Sequence, residues 1–184
     1  MPEKLIKRIK QLALDIGALQ FGSFALSAGG TSSYYFDGRI LTLNPEGSYL
    51  IAKAILPLVT ASGAQAVAGP TLGADPIVAA VSLLSYTENT PMPGLIVRNR
   101  PKGHGTTKSI EGKIQPGMKV AVVDDTCTSG KNIFHAVAEL EKEGCEITAI
   151  FSILDRNEGG SKEIRRRGYQ FESLLSATSE GIIE

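Results

Sequence analysis

The pattern of apolar and polar residues switches between helical and strand-like periods along the chain. Between Leu5 and Ile16 apolar residues recur at helical spacing among charged ones, which predicts an amphipathic helix ending near Gly17. Residues 21–43 predict a small β-rich segment, because aromatic residues there are flanked by Gly and Ser turns. The chain is therefore expected to begin with a helix and a short β segment.

The next helix is predicted to begin at Asn44, a typical N-cap residue, with Pro45 at the first helical position. This helix is expected to end or kink near Ile55, because Pro57 lacks the N–H that the helix would use.

From residue 64 onward short apolar runs alternate with amphipathic stretches. The predicted strands lie at 65–68, 95–98, 119–124, 147–154 and near 169–174, and the predicted helices at 75–85, 131–144 and 161–167. This order predicts an α/β fold with a mostly parallel central sheet flanked by helices and connected by right-handed crossovers. Residues 1–43 are expected to form a helix and a hood over the edge of a core at 44–184.

Composition narrows the class of protein. The 184 residues suit a single domain spanning 1–184. The 19 basic and 19 acidic residues give zero net charge, which argues against nucleic acid as the main partner. No apolar run reaches the length of a membrane span, so no membrane partner is expected. Cys127 and Cys145 have neither disulfide nor metal-site spacing, and a reducing, cytoplasmic environment is expected.

The most informative stretch is residues 120–130. Its first four residues are small and apolar, which predicts a strand covered on both faces, and the run ends at Asp124 and Asp125. A hydroxyl-rich turn then leads into a helical pattern. Ligands of open α/β sheets bind at the carboxyl ends of strands, and helix N-termini bind phosphate, so this stretch suits a sugar phosphate. The alternative is an ordinary strand–turn–helix with a capped helix.

This stretch resembles the phosphoribosyl pyrophosphate signature of type I phosphoribosyltransferases. The resemblance implies the fold of that family, with a small N-terminal hood and a mobile basic lid loop. It also implies that the substrate's ribose and 5′-phosphate are held by Asp124, Asp125, Thr126, Cys127, Thr128, Ser129 and Gly130.

A second loop, residues 69–76, also follows a predicted strand and opens a helix. Its Gly-Ala-Asp-Pro sequence resembles one branch of the orotate phosphoribosyltransferases, in which a similar loop contacts pyrophosphate. The resemblance implies that Thr71 and Gly73 bind the pyrophosphate end. Many members have lysine at the position of Gly73, so the backbone amide is expected to donate here. From the residues alone, a tight turn with an Asp75 cap is an equal alternative.

A third segment, from Arg98 to Lys108, contains four Lys or Arg residues, one His and no acid. Charge runs of this kind are often solvated hairpins, but this one resembles the catalytic loop of orotate phosphoribosyltransferases. The resemblance implies a lid at about 99–112 that closes over the pyrophosphate leaving group. Its substrate-binding residues are Arg98, Arg100, Lys102 and His104, and the implied catalytic set is Lys102, His104, Arg98 and Asp125. Arg100 is expected to replace a lysine that relatives often have at Asn99.

Two further segments resemble the parts of this family that bind the base. Residues 155–160 are similar to the segment that holds the pyrimidine carboxylate, which implies that Arg156 binds orotate. The alternative is an ordinary ion pair of Arg156 with a neighbouring acid.

Residues 24–39 resemble the N-terminal motif that covers the base, although the basic residues common in the family at Ser27 or Gly30 are missing. The implied orotate contacts are Thr128, Arg156 and Tyr35. Aromatic residues in a small β segment are about as often part of the core.

Taken together, the motifs cover nearly the whole chain in the order of the family. They imply an orotate phosphoribosyltransferase of de novo pyrimidine synthesis, which converts orotate and phosphoribosyl pyrophosphate to orotidine 5′-monophosphate and pyrophosphate. The implied cofactor is Mg²⁺, held by the substrate with no direct protein ligand and linked to Asp124 at most through water. In this family the lid serves the neighbouring subunit, which implies a homodimer.

Two alternatives stay open at this stage: a type I phosphoribosyltransferase for another base, and a non-catalytic, nucleotide-sensing regulator with the same fold. The main reading requires that Asp125, Gly73 and Arg156 converge at one rim of the sheet. Separate cavities around these residues would contradict it.

Overall fold

The structure is a computed structural model that describes residues 3–25, 31–99 and 109–184. Its helices are α1 (Glu3–Asp15), α2 (Gly38–Thr42), α3 (Pro45–Ala61), α4 (Asp75–Thr87), α5 (Lys131–Lys142) and α6 (Gly160–Arg166). Its strands are β1 (Leu19–Ala25), β2 (Thr31–Phe36), β3 (Ala66–Pro70), β4 (Gly94–Val97), β5 (Ile110–Glu111), β6 (Lys119–Cys127), β7 (Glu146–Asp155) and β8 (Phe171–Ser176).

The larger sheet has the strand order β5-β4-β3-β6-β7-β8. Strands β4, β3, β6, β7 and β8 are parallel, and only the short β5 runs antiparallel to its neighbour β4. The predicted mostly parallel sheet is therefore confirmed. The chain winds outward from β3 to β4 on one side and from β6 to β7 and β8 on the other. The carboxyl ends of β3 and β6 consequently meet at the topological switch point, where open α/β sheets bind their ligands.

Helices cover both faces of this sheet. On one face α1, α3 and α4 pack with Ala121 and Val123 of β6, and on the other α5 and α6 pack with Val120 and Val122. All four β6 residues are fully buried. This explains the unbroken apolar run at the start of β6, because successive side chains of a strand point to opposite faces and both faces lie inside the protein.

Helix α3 does not end near Ile55 as predicted but continues through Pro57 to Ala61. Proline inside a helix removes one backbone hydrogen bond and costs about 3 kcal/mol. In α3 the residues on both sides of the proline are buried in the core, among them Ile55, Leu56 and Val59. Burial of side chains of this size stabilises the helix by about 1.5–3 kcal/mol each, which offsets the proline.

Two further predictions need correction: the structure of the N-terminal segment and the N-cap of α4. The strands β1 and β2 form a two-stranded antiparallel sheet, and the helix α2 follows within the segment 21–43 that was predicted to be β-rich. The N-cap of α4 is Ala74, without a side-chain cap, so the alternative in which Asp75 caps α4 is wrong. Among the described residues, no helix is long and apolar enough to span a membrane.

Candidate active site

The turn between β6 and α5 forms the first cavity at the carboxyl edge of the sheet. Its volume is about 230 Å³, and it is lined by Asp124, Thr126, Thr128, Ser129, Gly130, Lys131, Asn132 and Ile133. Gly130 is the N-cap of α5 with φ +76°, and no side chain of the described residues caps the helix. The alternative of a side-chain-capped helix is therefore wrong. The first amides of α5 instead face a cavity, which is the arrangement that binds phosphate.

A neighbouring loop supports this turn. The backbone N–H of Gly160 donates to the carbonyl oxygen of Thr128 at 2.9 Å. A Cβ at Gly160 would lie 2.6 Å from the Thr128 oxygen and 2.7 Å from the Gly130 nitrogen, so only glycine fits there. Sequence reasoning did not assign Gly160 a role, and the signal for it was the Gly159-Gly160 pair after β7.

Of the two acids at the end of β6, Asp124 is buried and Asp125 is half-buried. Asp124 is 5% exposed, and its Oδ1 accepts a hydrogen bond from the Asp125 N–H at 2.9 Å. Burial raises the pKa of Asp124 well above its ordinary value, and the charge of Asp125 raises it further. Burial also raises the pKa of Asp125, while the positive charge of Arg39 lowers it. Hydroxyl donors of a bound sugar would stabilise both carboxylates.

The carboxylate of Asp125 lies between two glycines. A Cβ at Gly73 would lie 2.6 Å from Asp125 Oδ1, and a Cβ at Gly38 would lie 2.6 Å from the Asp125 Cβ. These residues border a second cavity of about 310 Å³, lined by Tyr35, Phe36, Asp37, Gly38, Arg39, Thr71, Leu72, Gly73, Asn99, Asp125 and Asn132. The structure thus brings Thr71 and Gly73 of one loop together with Asp125, which lies far from them in sequence. Asn132 lines this cavity and the phosphate-turn cavity, so the two adjoin.

The loop after β3 is held by side-chain hydrogen bonds. Thr71 Oγ1 donates to Asp75 Oδ2 at 2.8 Å, and the Thr71 carbonyl oxygen accepts from Asn99 Nδ2 at 2.9 Å. The peptide bond between Thr71 and Leu72 is cis. Asn99, where relatives often have lysine, therefore ties the start of the predicted lid to this loop.

Arg98 borders a third cavity of about 350 Å³ with Thr71, Asp75 and Glu111, among others. Its Nη1 donates to Glu111 Oε1 at 3.3 Å, and its carbonyl oxygen lies 2.9 Å from His135 Nε2. This contact of His135 was not predicted from the sequence. The other implied lid residues, Arg100, Lys102 and His104, lie outside the described residues, as do Ser27 and Gly30.

Arg156 lies in a fourth cavity, of about 580 Å³, between β2, the end of β7 and the C-terminal segment. Its Nε donates to Glu158 Oε1 at 2.8 Å, and its guanidinium carbon lies 5.0 Å from the centroid of the Tyr34 ring. The sequence-based alternative of an ion pair with a neighbouring acid is thus present in the structure. The backbone N–H of Arg156 donates to the carbonyl oxygen of Cys127 at 2.9 Å, which ties this cavity to the phosphate turn.

The expected convergence is therefore met by two residues of three. Asp125 and Gly73 share one cavity, whereas Arg156 borders a separate cavity at the same sheet edge, so the expectation of a single common site is not met for Arg156. Tyr35 lies with Asp125, because alternation along β2 directs Tyr34 and Tyr35 to opposite sides.

Burial limits what the Cys127 side chain can do in this site. Cys127 is fully buried, and this burial raises the pKa of its thiol to about 12, so the side chain packs and only its backbone is available to a ligand.

In the part of the chain that the structure describes, no three His, Cys, Asp or Glu side chains form a metal-binding group. The Asp124 carboxylate fits a Mg²⁺ ion that is held by substrate oxygens and water and that Asp124 contacts at most through a water molecule.

The parallel sheet, with an acid pair and an uncapped phosphate turn at its switch point, has the architecture of the type I phosphoribosyltransferases. No protein-family model matches the chain. Orotate phosphoribosyltransferase of Aquifex aeolicus is 40% identical over 173 residues, which cover 94% of this chain and 93% of that protein. Its counterpart from Nostoc sp. is 43% identical over 174 residues, covering 94% and 82%.

Solved structures agree with these relatives. The crystal structure of Mycobacterium tuberculosis orotate phosphoribosyltransferase in complex with 5-phospho-α-D-ribosyl 1-diphosphate matches with a TM-score of 0.79 and 28% identity. The match covers 97% of this chain and 99% of that one. The chain belongs to the orotate phosphoribosyltransferase family, and the resemblance found in the sequence is confirmed.

Proposed function

We propose that this protein transfers the phosphoribosyl group of phosphoribosyl pyrophosphate to orotate, giving orotidine 5′-monophosphate and pyrophosphate in pyrimidine synthesis. One observation carries the proposal. The carboxylate of Asp125 and the loop at Gly73 border one cavity, and Asn132 connects it to the cavity at the uncapped N-terminus of α5. Such a cavity pair offers an anchor for a 5′-phosphate, acceptors for ribose hydroxyls and donors for a diphosphate.

The 5′-phosphate binds at the turn from Thr126 to Gly130. Amides of the first turn of α5 point toward this cavity, and the helix dipole adds positive potential there. The hydroxyls of Thr128 and Ser129 lie at the same cavity and supply further donors. This anchoring fixes the ribose above the ends of β3 and β6.

Asp124 and Asp125 accept hydrogen bonds from the ribose hydroxyls. The reaction breaks the bond between the ribose carbon and pyrophosphate, and positive charge develops on that carbon. Two carboxylates in a buried setting stabilise this charge more strongly than they would in water. Burial raises the pKa of both carboxyls, which disfavours their charged forms, and hydrogen-bond donors and a cationic carbon on the substrate would offset that effect.

The pyrophosphate leaving group binds at the Gly73 loop, where the backbone amide donates. Mg²⁺, when bound with the substrate, neutralises part of the pyrophosphate charge as a Lewis acid. The lid residues Arg98, Lys102 and His104 add positive charge and exclude water when the lid closes.

Orotate binds between the phosphate turn and β2. Its carboxylate pairs with Arg156, for which the Glu158 carboxylate is the present partner. Thr128 and Tyr35 are the further contacts that we propose for the base. The ring nitrogen of orotate is already acidic, so the reaction requires no strong general base.

The test is a direct assay. Purified protein with orotate, phosphoribosyl pyrophosphate and Mg²⁺ should consume orotate, which is followed by its loss of absorbance. Folded protein without turnover on orotate but with turnover on another base would establish the type I alternative. Nucleotide binding without turnover on any base would establish the regulatory one.

We also propose that the protein works as a cytoplasmic homodimer. An apolar depression of about 440 Å³ lies between α3 and α4, lined by Pro45, Ser48, Tyr49, Ala52, Ala80, Leu83, Leu84 and Thr87. Tyr49 and Leu83 are more than half exposed, as is the adjacent Tyr86. Exposed apolar groups concentrated on one face mark a contact surface. The partner that we propose for this surface is a second copy of the same chain, as the family resemblance implies.

A further inference from the structure

We propose that Arg39 binds the diphosphate end of phosphoribosyl pyrophosphate and supplies the positive charge that is missing at Gly73. The identity of the ligand rests on the proposed function. The inference concerns a residue to which the sequence motifs assigned no role and which lies outside the predicted lid.

The first step is that the loop after β3 has no positive side chain at residue 73. Gly73 has no side chain, and a Cβ there would lie 2.6 Å from Oδ1 and 2.8 Å from Cγ of Asp125. The Asp125 carboxylate as it is placed here therefore occupies the space beside Gly73. A positive charge for a diphosphate at this loop must therefore come from elsewhere in the cavity.

The second step is that Arg39 is in position to supply that charge. Of the described residues that line the Asp125 cavity, Arg39 is the only lysine or arginine. The positive charge of Arg39 acts on the groups inside the cavity. It lowers the pKa of Asp125, whereas burial raises that pKa. The side chain is 50% exposed, so a ligand from solvent can reach it.

The third step concerns how Arg39 is held. Asp37, the N-cap of α2, accepts from the Arg39 backbone N–H and also from Nε and Nη2, each at 3.0 Å. Within the described residues Nη1 has no hydrogen-bond partner. A guanidinium carries five donors in a rigid plane, so one edge can stay on Asp37 while the other binds two phosphate oxygens. The cap thus orients the arginine before the ligand arrives.

The experiment compares Arg39→Gln with a matched control, Arg8→Gln. Arg8 is similarly exposed at 44% and makes the same two-pronged pair, with Nε and Nη2 on Glu46 at 2.7 and 2.8 Å, but it lies on α1 outside the cavities described above. In Arg39→Gln we expect the KM for phosphoribosyl pyrophosphate and the inhibition constant of pyrophosphate to rise about tenfold or more, as for a lost charge-assisted hydrogen bond. The KM for orotate should change less than about twofold, and Arg8→Gln should match wild type.

Two further variants separate binding from structure. Arg39→Lys should recover part of the affinity for pyrophosphate, because the charge is kept while the planar fork is lost. Asp37→Asn keeps an acceptor for the α2 cap, keeps the Arg39 charge and removes only the ion pair that orients it, so it should weaken pyrophosphate binding much less than Arg39→Gln does. If Asp37→Asn weakens pyrophosphate binding as much as Arg39→Gln does, the pair has only a structural role and the inference is wrong.

The outcome is distinguishable from a failure of the proposed function. Calorimetry with pyrophosphate and Mg²⁺ alone measures the Arg39 contribution without orotate or turnover. Arg39-dependent pyrophosphate binding in a protein that does not consume orotate would keep the inference and remove the orotate assignment. Normal turnover with unchanged pyrophosphate binding in Arg39→Gln would do the opposite.

Discussion

The N–H of Gly160 and the carbonyl oxygen of Thr128 form a hydrogen bond of 2.9 Å that joins the loop after β7 to the phosphate turn. This bond matters because the two loops serve different substrates in the proposed reaction. The phosphate turn holds the ribose phosphate, and the loop after β7 carries Arg156 for the base. The position of one loop therefore fixes the position of the other.

Gly160→Ala should disturb this junction. The added methyl would lie 2.6 Å from the Thr128 oxygen and 2.7 Å from the Gly130 nitrogen, so the turn must move. We expect about 1–3 kcal/mol of lost stability, as for other overpacked sites. The KM for phosphoribosyl pyrophosphate should rise about tenfold or more, which steady-state kinetics and urea unfolding would measure.

The control for this variant is Gly63→Ala. Gly63 also has a constrained backbone, with φ +77°, but no atom would lie within 4 Å of its Cβ. This variant should lose some stability through backbone strain and keep wild-type kinetics. Equal kinetics for Gly160→Ala and Gly63→Ala would contradict the role of Gly160 in holding the turn.

Asp124→Asn is expected to trade activity for stability. The pKa of Asp124 is raised in the folded protein by burial and by the charge of Asp125. A carboxyl with a raised pKa stabilises the fold fully only below its unfolded pKa of about 3.9, and this contribution is lost as pH rises through the folded value. Asparagine has no charge to bury and keeps the oxygen that accepts from the Asp125 N–H.

The variant should therefore be more stable than wild type near pH 8, by about 1 kcal/mol or more, and the difference should vanish near pH 4. Turnover should fall at least about 100-fold, because the variant has no negative charge at residue 124 near the reacting carbon and one fewer oxygen to accept from the ribose hydroxyls. Thermal unfolding at both pH values, together with the orotate assay, measures this. A variant that is less stable at pH 8 would show that the buried charge is already compensated in the free protein.

Periodicity predicted the elements of this fold well where burial alone decides the structure. The apolar run of β6 predicted a strand buried on two faces, and residues 120–123 divide between the two cores. The prediction failed at Pro57, because local propensity predicted a helix end and tertiary packing on α3 outweighed it.

The site could be predicted only in part, for related reasons. The acids and the phosphate turn are contiguous in sequence and so were visible as a motif. Arg39 ends the 24–39 motif but was assigned no role there, because its role depends on a cavity formed by segments far apart in the chain. The choice between Tyr34 and Tyr35 beside Arg156 depends on which way β2 faces, and this is set by its pairing with β1.

Arg156→Ala should act on orotate alone. A charge-assisted hydrogen bond of this kind contributes about 1.5–3 kcal/mol, which corresponds to a loss of about 10- to 100-fold in kcat/KM for orotate. The KM for phosphoribosyl pyrophosphate should stay near the wild-type value. Full turnover of Arg156→Ala with a base that lacks a carboxylate would favour a type I phosphoribosyltransferase for that base.

Glu158→Gln is the companion variant, because Glu158 is the present partner of Arg156. Loss of this carboxylate removes a competitor for the guanidinium, so the KM for orotate should stay equal or fall. A large rise in this KM would mean that Glu158 itself positions Arg156 for the substrate. The two variants together therefore separate binding by Arg156 from its orientation.

Leu83→Glu tests the proposed dimer. Leu83 is 68% exposed on α4 at the edge of the apolar depression between α3 and α4. Placing a charge in a contact between two copies would leave that charge buried without a partner, which is unfavourable. Wild type should sediment as a dimer at micromolar concentration, and Leu83→Glu should sediment as a monomer.

Ile182→Glu is the control, since Ile182 is also more than half exposed but does not line the depression between α3 and α4. It should remain dimeric. If the lid of one subunit completes the site of the other, the monomeric Leu83→Glu protein should also lose turnover while it keeps its affinity for 5′-phosphate ligands at the turn of the same chain. A monomeric variant with undiminished turnover would show that each chain closes its own site, and a monomeric wild type would remove the dimer from the mechanism.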